Sequence, residues 1–61
     1  MEEMYQIVWN NMYLVGFSDD GSSVWGIAPN QAVWMPKERA DKVLQAIKLL
    51  DDINAEIEGV N

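Results

Sequence analysis

The pair Asn10-Asn11 sets the first constraint on this chain. It sits inside the stretch IVWNNMYLVGF, residues 7–17, between two apolar runs. Asparagine tolerates the positive φ that tight two-residue hairpin turns require. The flanking segments MYQIVW (4–9) and MYLVGF (12–17) are rich in strand-favouring residues. A two-residue loop puts Trp9 opposite Met12, Ile7 opposite Leu14 and Tyr5 opposite Gly16, all on one face. The other face then carries Met4, Val8, Tyr13, Val15 and Phe17, with Gln6 as its polar member. An antiparallel sheet with one face in water alternates apolar and polar residues. Here both faces are apolar, so the hairpin needs two covers.

The rest of the chain supplies one of them. SDDGSS (18–23) reads as a polar turn centred on Gly21, and VWGI (24–27) as a third short strand. Residues 4–27 are thus expected to form an antiparallel β-meander. A connector, 28–35, begins at the Pro29-Asn30 break. Pro36 suits the first helical position, where a missing N–H costs nothing. From there Ala40, Val43, Leu44, Ile47, Leu50 and Ile57 recur at threes and fours, and Gly59 suits a helix stop. The spacing predicts a helix over 36–58. The expected fold is α+β, a single domain over 1–61 of order βββα: a three-stranded antiparallel meander followed by one long C-terminal helix.

That helix would span about 34 Å, against about 20 Å for six-residue strands. It should overhang its sheet, carrying Leu49, Leu50, Ile53 and Ile57 beyond it. Ala40, Val43, Ile47, Leu50, Asn54 and Ile57 also fit alternating a and d positions of a helix pair, with Asn54 as a register-setting polar residue. Size adds to the case for a partner. A chain of 61 residues buries only about 60% of its unfolded surface. It has no cysteine for disulfides and no histidine for a common metal site. A homodimer or a target protein is therefore expected on the face formed by Val8, Tyr13, Val15 and Phe17 with Leu50, Ile53 and Ile57.

Charge is segregated. All four bases, Lys37, Arg39, Lys42 and Lys48, lie in the first half of the expected helix, and the net charge is −6. Asp51, Asp52, Glu56 and Glu58 crowd its second half, against the helix dipole. On a helix these acids would repeat at one and two turns. Such an array could dock onto a basic groove, as a mimic of nucleic acid would. Trp34 and Met35, just before the helix, join them as expected partner contacts, because aromatic residues and methionine are enriched at binding hot spots. Trp9 and Trp25 read as core.

The segments YQIVWNNMYLVGFSDDGSSVW and AVWMPKERADKVLQAI resemble a pattern in many small phage and prophage proteins. Those show a Y-x-I/V…N-N/G-x-Y-L hairpin, a Trp strand, an A-x-x-F segment and a helix opening E-E-A-x-x-V. The likeness covers roughly residues 4–50; Trp34 stands where Phe is usual, and Met35 where Ser or Thr caps the helix. It implies a protein that binds and blocks a host protein, including anti-CRISPR-like inhibition of defence systems. The alternative is a homodimeric structural or regulatory module. Catalysis is not expected, because Ser18, Ser22 and Ser23 have no histidine to activate them. No cofactor, metal, membrane or direct nucleic-acid binding is expected either. The acidic opening MEEMYQ lacks the pattern of a secretory signal, so a cytoplasmic location, that of the host if phage-encoded, is expected.

Overall fold

The computed structural model describes residues 3–60. Strand β1 (Met4–Trp9) and strand β2 (Met12–Phe17) form the expected hairpin. Asn10 and Asn11 take φ values of 51° and 63°. Two consecutive left-handed residues make a type I′ turn, whose twist matches that of the strands it joins. Trp9 pairs with Met12 and Val8 with Tyr13. Strand β3 (Ser23–Gly26) follows the 18–22 turn and pairs antiparallel with β2. That turn closes through Ser18 N–H to Ser22 C=O (2.9 Å) and Gly21 N–H to Ser18 C=O (3.0 Å). Gly21, at φ 89°, occupies backbone space that costs other residues dearly.

Beyond the turn end of the hairpin, the register departs from the simple ladder. The backbone N–H and C=O of Tyr5 bond to Met35, both at 2.8 Å, and Val33 N–H donates to Leu14 C=O at 3.0 Å. Met35 thus takes the place opposite Tyr5 that a continued hairpin would give to Gly16. The 33–35 segment wedges between the open ends of β1 and β2. A bulge between Leu14 and Gly16 accommodates it, with Gly16 at φ 153°.

Helix α1 spans Lys37–Leu50, after Pro36 and a single 3-10 turn at Pro29–Gln31. It lies on the Ile7 and Leu14 side of the sheet. Ile7, Leu14, Met35, Ala40, Ile47 and Ala55 form the buried core, bordered by Tyr5, Trp9, Trp25, Val43, Leu44, Ile53 and Ile57.

The largest correction concerns the C-terminal part. The helix does not run to residue 58, and the sheet has four strands, not three. Strand β4 (Glu56–Val60) pairs antiparallel with β1 along its whole length, and the order is β3-β2-β1-β4. The last helical bond runs from Asp51 N–H to Ile47 C=O at 2.9 Å, and the Asp51 carboxylate turns to Ser23 of β3 instead of continuing the helix surface. Asp52 sits at φ 54°, the left-handed position that ends many helices. From Ile53 the sequence INAEIEGV alternates apolar and polar, which is a strand period. Ile57 lands opposite Ile7, and the turn at 51–55 returns the chain along β1.

Candidate functional site

Cross-strand pairing defines the face that α1 leaves uncovered. Val8 is opposite both Tyr13 and Glu56, and Tyr13 is opposite Gly26. Directly opposed residues point the same way. One row therefore runs Gly26, Tyr13, Val8, Glu56 across all four strands. The next row pairs Gln6 with Glu58, and the next Met4 with Val60. Gln6 is 8% exposed and donates through Nε2 to Glu58 Oε1 at 2.8 Å, which fixes that carboxylate on the face. Val8, Tyr13 and Val15 are half-buried, and the Gln31 side chain lies over Gly26 beside Val15 on this face. At the hairpin end the face is hollowed into an open depression of about 660 Å³. Val8, Tyr13, Glu56 and Glu58 line it from this face, and Trp9, Met12, Asn54 and the Asn10-Asn11 turn line it around the hairpin end. Its lining is mostly polar, with Val8 and Tyr13 beside the two glutamates.

The bases are on the far side. All four ride on α1, which packs against the opposite face. Lys37 is engaged there by Asp41 at 2.9 Å, an exposed i,i+4 pair. The helix holds two acids, Glu38 and Asp41, and the other eight acids of the chain lie outside it with no base among them.

The four acids of the expected helical array have separate settings. Asp51 closes α1 and accepts Ser23 N–H (3.0 Å) and Ser23 Oγ–H (2.5 Å) through one carboxylate oxygen. Ser23 Oγ in turn accepts Trp25 Nε1–H at 2.8 Å, and Trp25 stacks obliquely on Trp9 at 5.5 Å and 59°. Asp51 is thus a latch between helix end and sheet. Asp52 takes the left-handed position after it, and only Glu56 and Glu58 share a surface, on a strand. The one-turn and two-turn spacings do not exist, because the helix ends first.

Other expected contacts also move. Met35 is 4% exposed and belongs to the core, whereas Trp34 beside it is 54% exposed. Ile53 and Ile57 pack against the chain's own core rather than overhanging it, and Asn54 lies between α1 and β4, outside any helix. Leu50 is the last helical residue and is exposed. Phe17 pairs with Ser23, so the bulge turns it to the helix side, away from Val15. Of the expected face, Val8, Tyr13 and Val15 remain together. Sequence reasoning missed Glu56 and Glu58 as neighbours of Val8 and Gln6, although the alternation in INAEIEGV carries that signal.

Two titrating groups stand out elsewhere. The Asp20 carboxyl is held down to about 2, chiefly by the Ser18 hydroxyl, then by Ser22 N–H. The Tyr5 phenol is raised by its hydrogen bond to Glu3 (2.8 Å) and by that carboxylate's charge. Among the described residues, no three acidic side chains gather in a way that would hold a metal ion. No helix among them is long and apolar enough to cross a membrane. Comparison with known protein families, characterised proteins and solved structures returned no match.

Proposed function

We propose that this chain is a binding protein that docks onto a cationic surface of a host protein and blocks it stoichiometrically, as the resemblance to small phage proteins implies. The observation that carries this reading is the composition of the open sheet face. Val8 and Tyr13 supply apolar contact area, Glu56 and Glu58 supply charge, and no base lies on that side of the sheet. Apolar centres with charged rims are the usual anatomy of protein–protein contacts. A negative potential speeds and selects encounters with positive partners.

The half-buried apolar row also favours a second reading, a homodimer packed face to face. Charge favours the first. A second copy would bring Glu56 and Glu58 to an interface that has no base to meet them. A foreign cationic partner meets them with opposite charge.

The variant Glu56→Lys with Glu58→Lys, immobilised beside the wild type, tests the reading. The wild type should retain one partner from a bacterial lysate in equal molar amount, and release it as salt rises. The variant should retain none. A partner held equally by both would remove the open face from the account.

A further inference from the structure

The two outer edges of the sheet differ, and one of them is built to receive another strand. Strand β4 pairs with β1 over five consecutive positions without a bulge. Because Tyr5 gives its N–H and C=O to Met35, the groups of β1 that face β4 are those of Met4, Gln6 and Val8. Their partners are Val60, Glu58 and Glu56. Ile57 and Gly59 therefore aim their N–H and C=O away from β1, along the outer edge. Among the described residues, no backbone bond reaches those groups and no segment lies beside them.

Natural edge strands are commonly blunted by proline, lysine, a bulge or a covering segment. Strand β3 shows such devices. It has four residues, its partner β2 is bulged, Ser23 N–H is taken by Asp51, and Pro29 follows closely. Strand β4, EIEGV, has no proline, lysine or bulge and, among the described residues, no covering segment; its edge charges are Glu56 and Glu58, which guard it only against like-charged strands. Its one weak position, Gly59, is shielded by the Tyr5 ring, which lies 3.6 Å from where a Cβ would stand.

We propose that the outer edge of β4 takes an extended segment of the partner as a fifth strand. This deepens the reading above and rests on it. The side chains of β4 specify the segment. Residues flanking Glu56 and Glu58 should be lysine or arginine, and the alternate ones, beside Ile57, should be apolar. A second copy does not fit. Antiparallel β4–β4 pairing would set the same two glutamates against each other, and directly opposed like charges destabilise a sheet. The edge is open to basic strands and closed to its own. Added strands gain affinity from main-chain bonds and specificity from alternate side chains.

The test uses the full chain, isotope-labelled, and a short synthetic peptide alternating lysine and valine. Amides of Ile57 and Gly59 should gain protection from hydrogen exchange as the peptide binds. The same peptide, N-methylated on the backbone edge that faces β4, should not bind. Glu56→Gln with Glu58→Gln should weaken binding about five- to tenfold, the loss expected for two exposed ion pairs, and flatten its salt dependence. Gly59→Pro removes one outward N–H without touching the β1 ladder, so it should stay folded and lose the peptide. Equal binding of the N-methylated peptide, or unchanged exchange at Ile57 and Gly59, would overturn the edge proposal and leave the open face intact. Failure of the alternating peptide to bind at low salt would also overturn it. The lysate comparison remains the separate test of the face.

Discussion

The two faces of one four-stranded sheet are built from the same strands and do opposite work. On the helix side, Ile7 and Leu14 meet Ala40 and Ile47, and that layer carries no charged group in its centre. On the other side, Val8 and Tyr13 lie beside Glu56 and Glu58 around a depression that is open among the described residues. The first face holds the fold together. The second has apolar area that the fold does not use and acids that the fold does not pair, apart from the Gln6 contact. In so small a chain, that division leaves one face to the packing of the fold and the other to the proposed contact.

Truncation on each face should break the symmetry most visibly. Leu14→Ala opens a cavity in the packed layer and should cost about 2–5 kcal/mol, enough to unfold much of so small a domain. Val8→Ala on the open face should cost well under half as much, because no second layer packs against it. Urea denaturation of the two variants measures the contrast. Equal losses would mean that the open face is covered.

The latch at the helix end comes next. Asp51→Ala removes the acceptor for Ser23 N–H and Oγ–H, and should cost about 1–3 kcal/mol. Trp25, bonded to the same hydroxyl, should report the change in its fluorescence. By contrast, Glu56→Lys, which leaves the Gln6–Glu58 bond intact, should shift stability by about 0.5 kcal/mol or less while weakening partner binding. A large loss of stability in that variant would place Glu56 in the scaffold.

Smaller effects refine the scaffold itself. Asn11→Gly should stabilise the hairpin slightly, and Asn11→Ala should destabilise it by about 1 kcal/mol, since at φ 63° alanine lacks the short polar side chain by which asparagine tolerates the left-handed conformation. The smallest effect is that of Asp20. Its folded pKa, about 2, lies below the ordinary aspartate value of 3.8. Its stabilising contribution is present above the unfolded value and lost as pH falls through about 2. A carboxyl-carbon titration by NMR should show the low midpoint in the wild type and a normal one after Ser18→Ala.

The hairpin, the polar turn and the helix start were legible because each has a local cause. Asn10-Asn11 takes positive φ by itself, Gly21 bends the next turn, and Pro36 precedes a helix. The end of the helix was not legible in the same way. Leu50, Asn54 and Ile57 fit a helical spacing, while Ile53, Ala55 and Ile57 fit a strand spacing, and short apolar runs satisfy both. Pairing of Ile57 with Ile7, a contact fifty residues apart in sequence, decides between them. That decision is tertiary, and it dissolved the acidic helical array while placing Glu56 and Glu58 beside Val8. The side taken by Phe17 was equally hidden, since it depends on a bulge that the inserted 33–35 segment imposes.

The central claim is that recognition belongs to the uncovered face and its β4 edge. Amide and side-chain shifts of the labelled full chain, followed while the partner captured from lysate is added, test it most directly. The account predicts perturbations gathered at Val8, Tyr13, Glu56, Ile57, Glu58 and Gly59, with the outer surface of α1 around Lys42 and Leu49 quiet. Perturbations centred on α1, with the open face unchanged, would contradict it.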